Sequence, residues 1–192
     1  MTPSKPRVIR GRGGKARRAR LNTRIAPVIP GTRPELAAIE ASIRAERGGI
    51  PLIYQVLLNS APLADGWEKM LTAVRNRNSL PAALREMVII RVAVLNRAPY
   101  ELEAHRPVAL SCGVTEAKIE GLRLPQPGVG FSPLERAVLA LTDAMTREVQ
   151  IEDALFEPLR AHFDARSLVE LVATIAAYNM VSRFLEALRI GH

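Results

Sequence analysis

The chain has 192 residues, 48% hydrophobic but only 4% aromatic, enough for one sizeable core built from the small and medium side chains that favour packed helices over a β-sandwich. The net charge of +8 points to nucleic acid until it is located: nine Lys and Arg and no acid fall in residues 1–24, and the 18 bases left of the 27 face all 19 acids, so the remainder is near neutral. A single cysteine, Cys112, excludes an intrachain disulfide and a vicinal dithiol, and it favours a reducing, cytoplasmic setting.

Residues 1–31 mix basic side chains with Gly11, Gly13, Gly14, Pro27, Pro30 and Gly31 and show no hydrophobic period, so they read as a basic, mobile arm ahead of a helical domain over 32–192. The start lacks the apolar region of a secretory signal, although an Arg-rich, acid-free start is also compatible with a transit peptide. No later segment has 18 uncharged apolar residues in a row, so no membrane span is expected. Thr32 and Glu35, with Pro34 between them, have the spacing of a capping box and open a helix over about 33–47 that stops at Gly48-Gly49. A short apolar segment over 50–59 reads as a buried helix. Pro62 begins another, with Leu63, Trp67, Met70, Leu71 and Val74 at helical spacing, and Trp67 is assigned to the core. Pro81 then starts a helix whose Leu84, Val88, Ile89, Val92, Ala93 and Leu95 leave only Arg85, Glu86 and Arg91 charged. A helix apolar nearly all round is buried, and its ionisable groups must find partners.

Pro99 fits the first turn of the next helix, which runs to about Ser111 and stops at Gly113, with Glu101 and His105 four residues apart on one face. Thr115 caps a short helix, and Ser132-Pro133-Leu134-Glu135 is a second capping signature for a helix to about 149. A helix over 152–163 is bent by Pro158, and Asp164 caps a long last helix with Arg183 embedded in it. No strand alternation and no internal repeat appear. The expectation is an all-α, single-domain bundle of about eight helices.

The chain has no phosphate loop, nucleophile elbow or dinucleotide fingerprint. Its three histidines, His105, His162 and His192, are too dispersed for a zinc site, so no metal is expected. What remains is an acid and an imidazole on helices that meet at Pro99: Glu86 and His105. A buried carboxyl beside imidazole holds either group near the pKa that proton transfer needs. Taken alone, a histidine at a helix interface is more often structural.

The window 84–105 resembles the carboxymuconolactone decarboxylase family, which includes the alkylhydroperoxidase D-like proteins. The likeness rests on Leu84-Arg85-Glu86, Asn96, Tyr100-Glu101 followed by His105, and Gly113 with Ile119 and Leu122. It extends less specifically to Arg47-Gly48-Gly49, Leu57-Leu58, Pro62 to Trp67, and Tyr178-Asn179-Met180-Val181 with Arg183, covering about 45–190. The resemblance implies the alkylhydroperoxidase D-like helical fold. The peroxidase branch carries a Cys-x-x-Cys pair where this chain has Ala98 and Glu101, which directs the reading to the decarboxylase-like branch and away from thiol peroxide chemistry. Position 102, often Trp in the motif, is Leu102. That branch implies a carboxy-lyase without cofactor, acting on a carboxylated lactone or a related intermediate of aromatic catabolism. His105 would exchange a proton, Glu86 or Glu101 would orient and charge it, and Tyr100 would hydrogen-bond a carbonyl. Arg183, Arg91 and Arg47 are the candidates to hold a substrate carboxylate, although Arg91, on a buried helix, reads more readily as a salt-bridge partner. The resemblance further implies a homo-oligomer, a trimer or hexamer.

Isomerisation, dehydration and lactone hydrolysis on the same scaffold are the alternatives, because fold does not fix reaction. A non-catalytic oligomeric binding protein that uses the basic arm is a reading from another class. With the body near neutral, a nucleic-acid partner is not expected.

Overall fold

The computed structural model describes residues 22–148 and 150–192, and among these it contains nine α-helices, two 3-10 turns and no strand. The helices are α1 (Ala37–Arg47), α2 (Leu52–Leu57), α3 (Ala61–Asn76), α4 (Ala82–Leu95), α5 (Pro99–Ser111), α6 (Glu116–Gly121), α7 (Pro133–Arg147), α8 (Asp153–Phe156) and α9 (Ala165–Leu188). The fold is all-α, as the periodicity requires.

The caps follow local chemistry. Ser132 accepts from the backbone N–H of Glu135 while the Glu135 carboxylate accepts from that of Ser132, a complete capping box. Thr115 and Asp164 accept from the backbones of Lys118 and Ser167. The Thr32 signature does not form. The Thr32 hydroxyl donates to the Ile29 carbonyl at 2.7 Å, and Arg33 opens a 3-10 turn, Pro34–Leu36, with no side-chain cap before α1 starts at Ala37. The turn at 29–32 takes the oxygen that capping would use. Pro158 splits the expected 152–163 helix into α8 and the 3-10 turn Glu157–Ala161, since proline cannot supply the N–H an α-turn needs.

Helix α4 is the centre of the core. Val88, Ile89, Ile90 and Val92 are completely buried, and α5, α7 and α9 pack around it. Among the described residues, α9 alone has the length and hydropathy to cross a membrane. More than half of that stretch is buried against α3, α4, α5 and α7, as befits a core helix.

Residues 22–31, which the sequence joins to the basic arm, lie along the body. Val28 is buried and its N–H donates to the Gln55 carbonyl at 2.8 Å, and the Arg24 N–H donates to the Leu188 carbonyl at 2.8 Å. Those bonds and the burial of Val28 repay the ordering of this stretch. The rest of the expected arm lies outside the described residues.

Candidate active site

The pairing of acid and imidazole is built at the α4–α5 junction. Arg97 takes a left-handed φ of 54°, and the Ala98 N–H reaches back to the Ala93 carbonyl at 2.8 Å, closing α4 before Pro99 opens α5. The chain therefore reverses in three residues and lays α5 along α4. His105 Nδ1 and Glu86 Oε2 meet at 2.7 Å, with Glu86 1% exposed and the Arg85 Nε 3.8 Å from the other Glu86 oxygen. A carboxylate only accepts, so Nδ1 of a neutral imidazole carries the proton and Nε2 presents a lone pair. Nε2 faces the Tyr178 hydroxyl at 3.3 Å, and the two rings meet edge to face with centroids 5.1 Å apart. That contact is long for a hydrogen bond, so a substrate atom competes easily for the lone pair. Burial lowers the His105 pKa. The Glu86 carboxylate opposes the shift, and the charges of Arg75 and Arg85 add to it.

Glu101 lies one turn before His105 on the same face. Its Oε2 accepts from the Ser182 hydroxyl, while its Oε1 is buried with no hydrogen bond among the described residues. Burial raises its pKa from the ordinary 4.5 to about 8. Ser182 works against the shift and the Glu186 carboxylate adds to it. At neutral pH the group is a carboxylic acid. The two titratable groups are thus displaced in opposite senses, which makes His105 a base and Glu101 an acid. Burial also raises the phenols of Tyr178, Tyr100 and Tyr54, which remain donors.

These groups share a cavity of about 160 Å³. It is small beside the roughly 300–1,000 Å³ of drug-sized ligand sites. Glu101, His105 and Tyr100 of α5 and Tyr178 of α9 form one wall. Trp67, Leu71, Val181 and Leu185 are its apolar lining, and Arg47 and Arg75 bring the positive charge. Trp67 is therefore both core and wall, packed on Phe184 with ring centroids 5.0 Å apart. Tyr100 lines the cavity with its ring against Gly191, where any side chain would collide with it.

Of the three arginines suggested by sequence, one reaches the cavity. Arg47 lines it, with Nη2 donating to the Thr72 hydroxyl at 3.0 Å and its guanidinium 5.6 Å from the Tyr54 ring centroid. Arg91 does not. It is 1% exposed on the side of α4 that faces α7, pairs with Asp143 through Nε at 2.6 Å, and donates to the carbonyls of Leu122, Leu124 and Pro125. Its role is structural, because a buried guanidinium with its donors taken has none left for a ligand. Arg183 also points elsewhere. It is exposed beside a separate cleft formed with α7 and bonds the Asn179 side chain at 2.8 Å. Among the described residues no group of three or more His, Cys, Asp or Glu gathers to hold a metal ion.

The model of the carboxymuconolactone decarboxylase family matches residues 61–144, the span that holds Glu86, Glu101 and His105. A peroxidase-related protein from Silicibacter sp. TM1040 superposes over 88% of this chain and 91% of its own, with a TM-score of 0.75 and 20% identity. The chain thus shares the fold of peroxidase-related, alkylhydroperoxidase D-like proteins, and its central part matches the carboxymuconolactone decarboxylase family. The Bacillus subtilis protein YdfG is 29% identical over 109 residues, 56% of this chain and 74% of its own. The debrominase Bmp8, solved with 2,3,4-tribromopyrrole, shares the fold at a TM-score of 0.72 and 18% identity, covering 88% of this chain and 90% of its own. Proteins of this fold thus carry names from different chemistries, and the fold does not choose the reaction.

Two cavity residues were not singled out as functional from sequence. Arg75 follows Trp67 and Leu71 at i+8 and i+4, so it is a cation continuing the apolar stripe of α3, and that is the signal that would have found it. Tyr178 sits in the apolar run of α9, 2% exposed, where a phenol needs a polar partner. Its partner is His105, a pairing that only the crossing of α9 over α5 creates.

Proposed function

We propose that the protein is an acid–base enzyme of the carboxy-lyase type, acting on a small carboxylated lactone or a related unsaturated acid. The observation that carries this reading is the opposed pair on one face of α5: a neutral imidazole backed by Glu86 and a carboxyl held in its acid form four residues away. His105 Nε2 takes a proton from the substrate, and the Glu86 carboxylate stabilises the imidazolium that results. Glu101 gives a proton at the second position. Where carbon dioxide leaves, the carbon–carboxyl bond breaks and its electron pair passes into the conjugated carbonyl. The Glu101 proton then replaces the lost carboxyl carbon, the His105 imidazolium returns its proton to the product, and one solvent proton restores Glu101.

Thiol chemistry lacks support at this cavity. Positions 98 and 101 are alanine and glutamate, and Cys112, the sole cysteine of the chain, follows the end of α5 and is not among the cavity residues. Isomerisation is the second reading. It needs the same base and acid with no departing group, and the same geometry favours it.

His105→Ala tests the proposal on a panel of carboxylated enol lactones. Carbon dioxide release falls below detection while far-UV circular dichroism and oligomeric mass stay as in the native protein. Undiminished release would remove His105 from the mechanism.

A further inference from the structure

We infer that Arg75 is the anchor for the substrate carboxylate, so that this site selects small monoanionic acids over their neutral analogues. The inference deepens the proton-transfer reading and rests on it for the identity of the cavity as the active site. Two guanidinium groups face the cavity, and they are not equivalent. Arg47 donates to the Thr72 hydroxyl, which in turn donates to the buried Glu68 carboxylate at 2.8 Å, so the Arg47 charge is tied through one hydroxyl to an opposite charge. Arg75 is only half-buried but makes no hydrogen bond and no ion pair among the described residues.

An arginine on a cavity wall normally satisfies its planar fork with a carboxylate or with carbonyls, as Arg91 does elsewhere in this fold. Leaving it unpaired while partly desolvated is unfavourable, and an anion entering the cavity removes that penalty. Neither Glu101 on the wall nor Glu86 behind His105 competes for it. Glu101 is neutral at working pH, and Glu86 is engaged by His105. The Arg75 charge already bears on His105, Tyr178 and Tyr54, so an anion bound there is close to the proton-transfer groups. Leu71 and Trp67, one and two turns back on α3, then meet the apolar part of the same ligand. The resulting ligand is a flat or compact acid with one carboxylate at Arg75 and its reactive carbon toward His105 and Glu101.

The test is calorimetric titration of the full chain with benzoate and 2-furoate and with the corresponding amides, none of which is turned over. The native protein binds the acids and prefers them to the amides. Arg75→Gln weakens acid binding about tenfold to a hundredfold, the range for losing charge-assisted hydrogen bonds, and leaves amide binding unchanged. Arg75→Lys, which keeps the charge without the fork, restores part of the preference. Absence of acid binding in the native protein, an equal affinity for acid and amide, or an Arg75→Gln protein that keeps the preference overturns the anchor. So does a change in oligomeric mass in Arg75→Gln with acid preference intact, which would assign Arg75 to a subunit contact. The two proposals fail separately: if the anchor is wrong, His105→Ala still abolishes turnover, and if proton transfer is wrong, the acid preference still depends on Arg75.

Discussion

Replacing Glu101 by Gln removes a proton that the fold holds against its ordinary tendency, and the consequence for stability has a definite sign. The folded protein keeps this carboxyl protonated to about pH 8, whereas the unfolded chain releases the proton above about 4.5. Between those values the native state binds more protons than the unfolded state, so stability falls as pH rises, by about 1.4 kcal/mol per pH unit for this one group. From 4.5 to 8 the loss comes to about 5 kcal/mol, fully developed above pH 8. Glutamine is isosteric, its amide oxygen still accepts from Ser182, and it does not titrate. The variant is therefore close to native stability at pH 5 and more stable than native by several kcal/mol at pH 8.5. His105 also contributes a slope. It is held neutral while the unfolded chain protonates below about 6.5, so stability is lost as pH falls below that value. Both proteins carry His105, and its share cancels in their difference. The assay is urea denaturation of both proteins at several pH values between 5 and 8.5, read as the difference between their unfolding free energies. A difference that stays constant over this range would refute the assignment of Glu101 as a neutral buried acid. Turnover gives the independent half of the prediction: with no acid at position 101, the rate falls by about 10² or more at pH 7.

Tyr178→Phe deletes a 3.3 Å contact to His105 Nε2 but keeps the ring packing, so we expect a rate reduced by about tenfold at most with stability changed by about 1 kcal/mol. Initial rates together with denaturation midpoints check this, and loss of all activity would make Tyr178 a direct proton carrier. Asp143→Ala strands the buried Arg91 with only its carbonyl partners and costs about 3 kcal/mol, while the folded variant keeps native acid binding because neither residue lines the cavity. Native stability in this variant would mean that the ion pair is not what holds α4 to α7.

Much of the architecture was legible because it is written in local chemistry. Pro99, Gly113, Ser132 with Glu135, and Asp164 act through dihedral preference and hydrogen bonds within four residues, so their effects do not wait for the rest of the chain. The exception, Thr32, lost its cap to a turn in which the Gly31 N–H is held by the Glu40 carboxylate of α1, nine residues on. Glu86 and His105 were legible as a pair for the same local reason. A proline-marked reversal between two consecutive helices brings their faces together whatever packs around them.

The arginines were not legible, and the reason is geometric. Helix α4 is apolar on every side, so its sequence has no polar face to say that Arg91 points toward α7 and Glu86 toward α5. Periodicity places a residue on a helix but not the helix against its neighbours. The long-range crossings of α3 and α9 decided that Arg75 and Tyr178 reach the cavity and that Arg183 does not. Alone, the sequence determined an all-α chain with an acid and an imidazole at a helix reversal. The tertiary packing decided which charges surround them and, through burial, that one became a base and the other an acid.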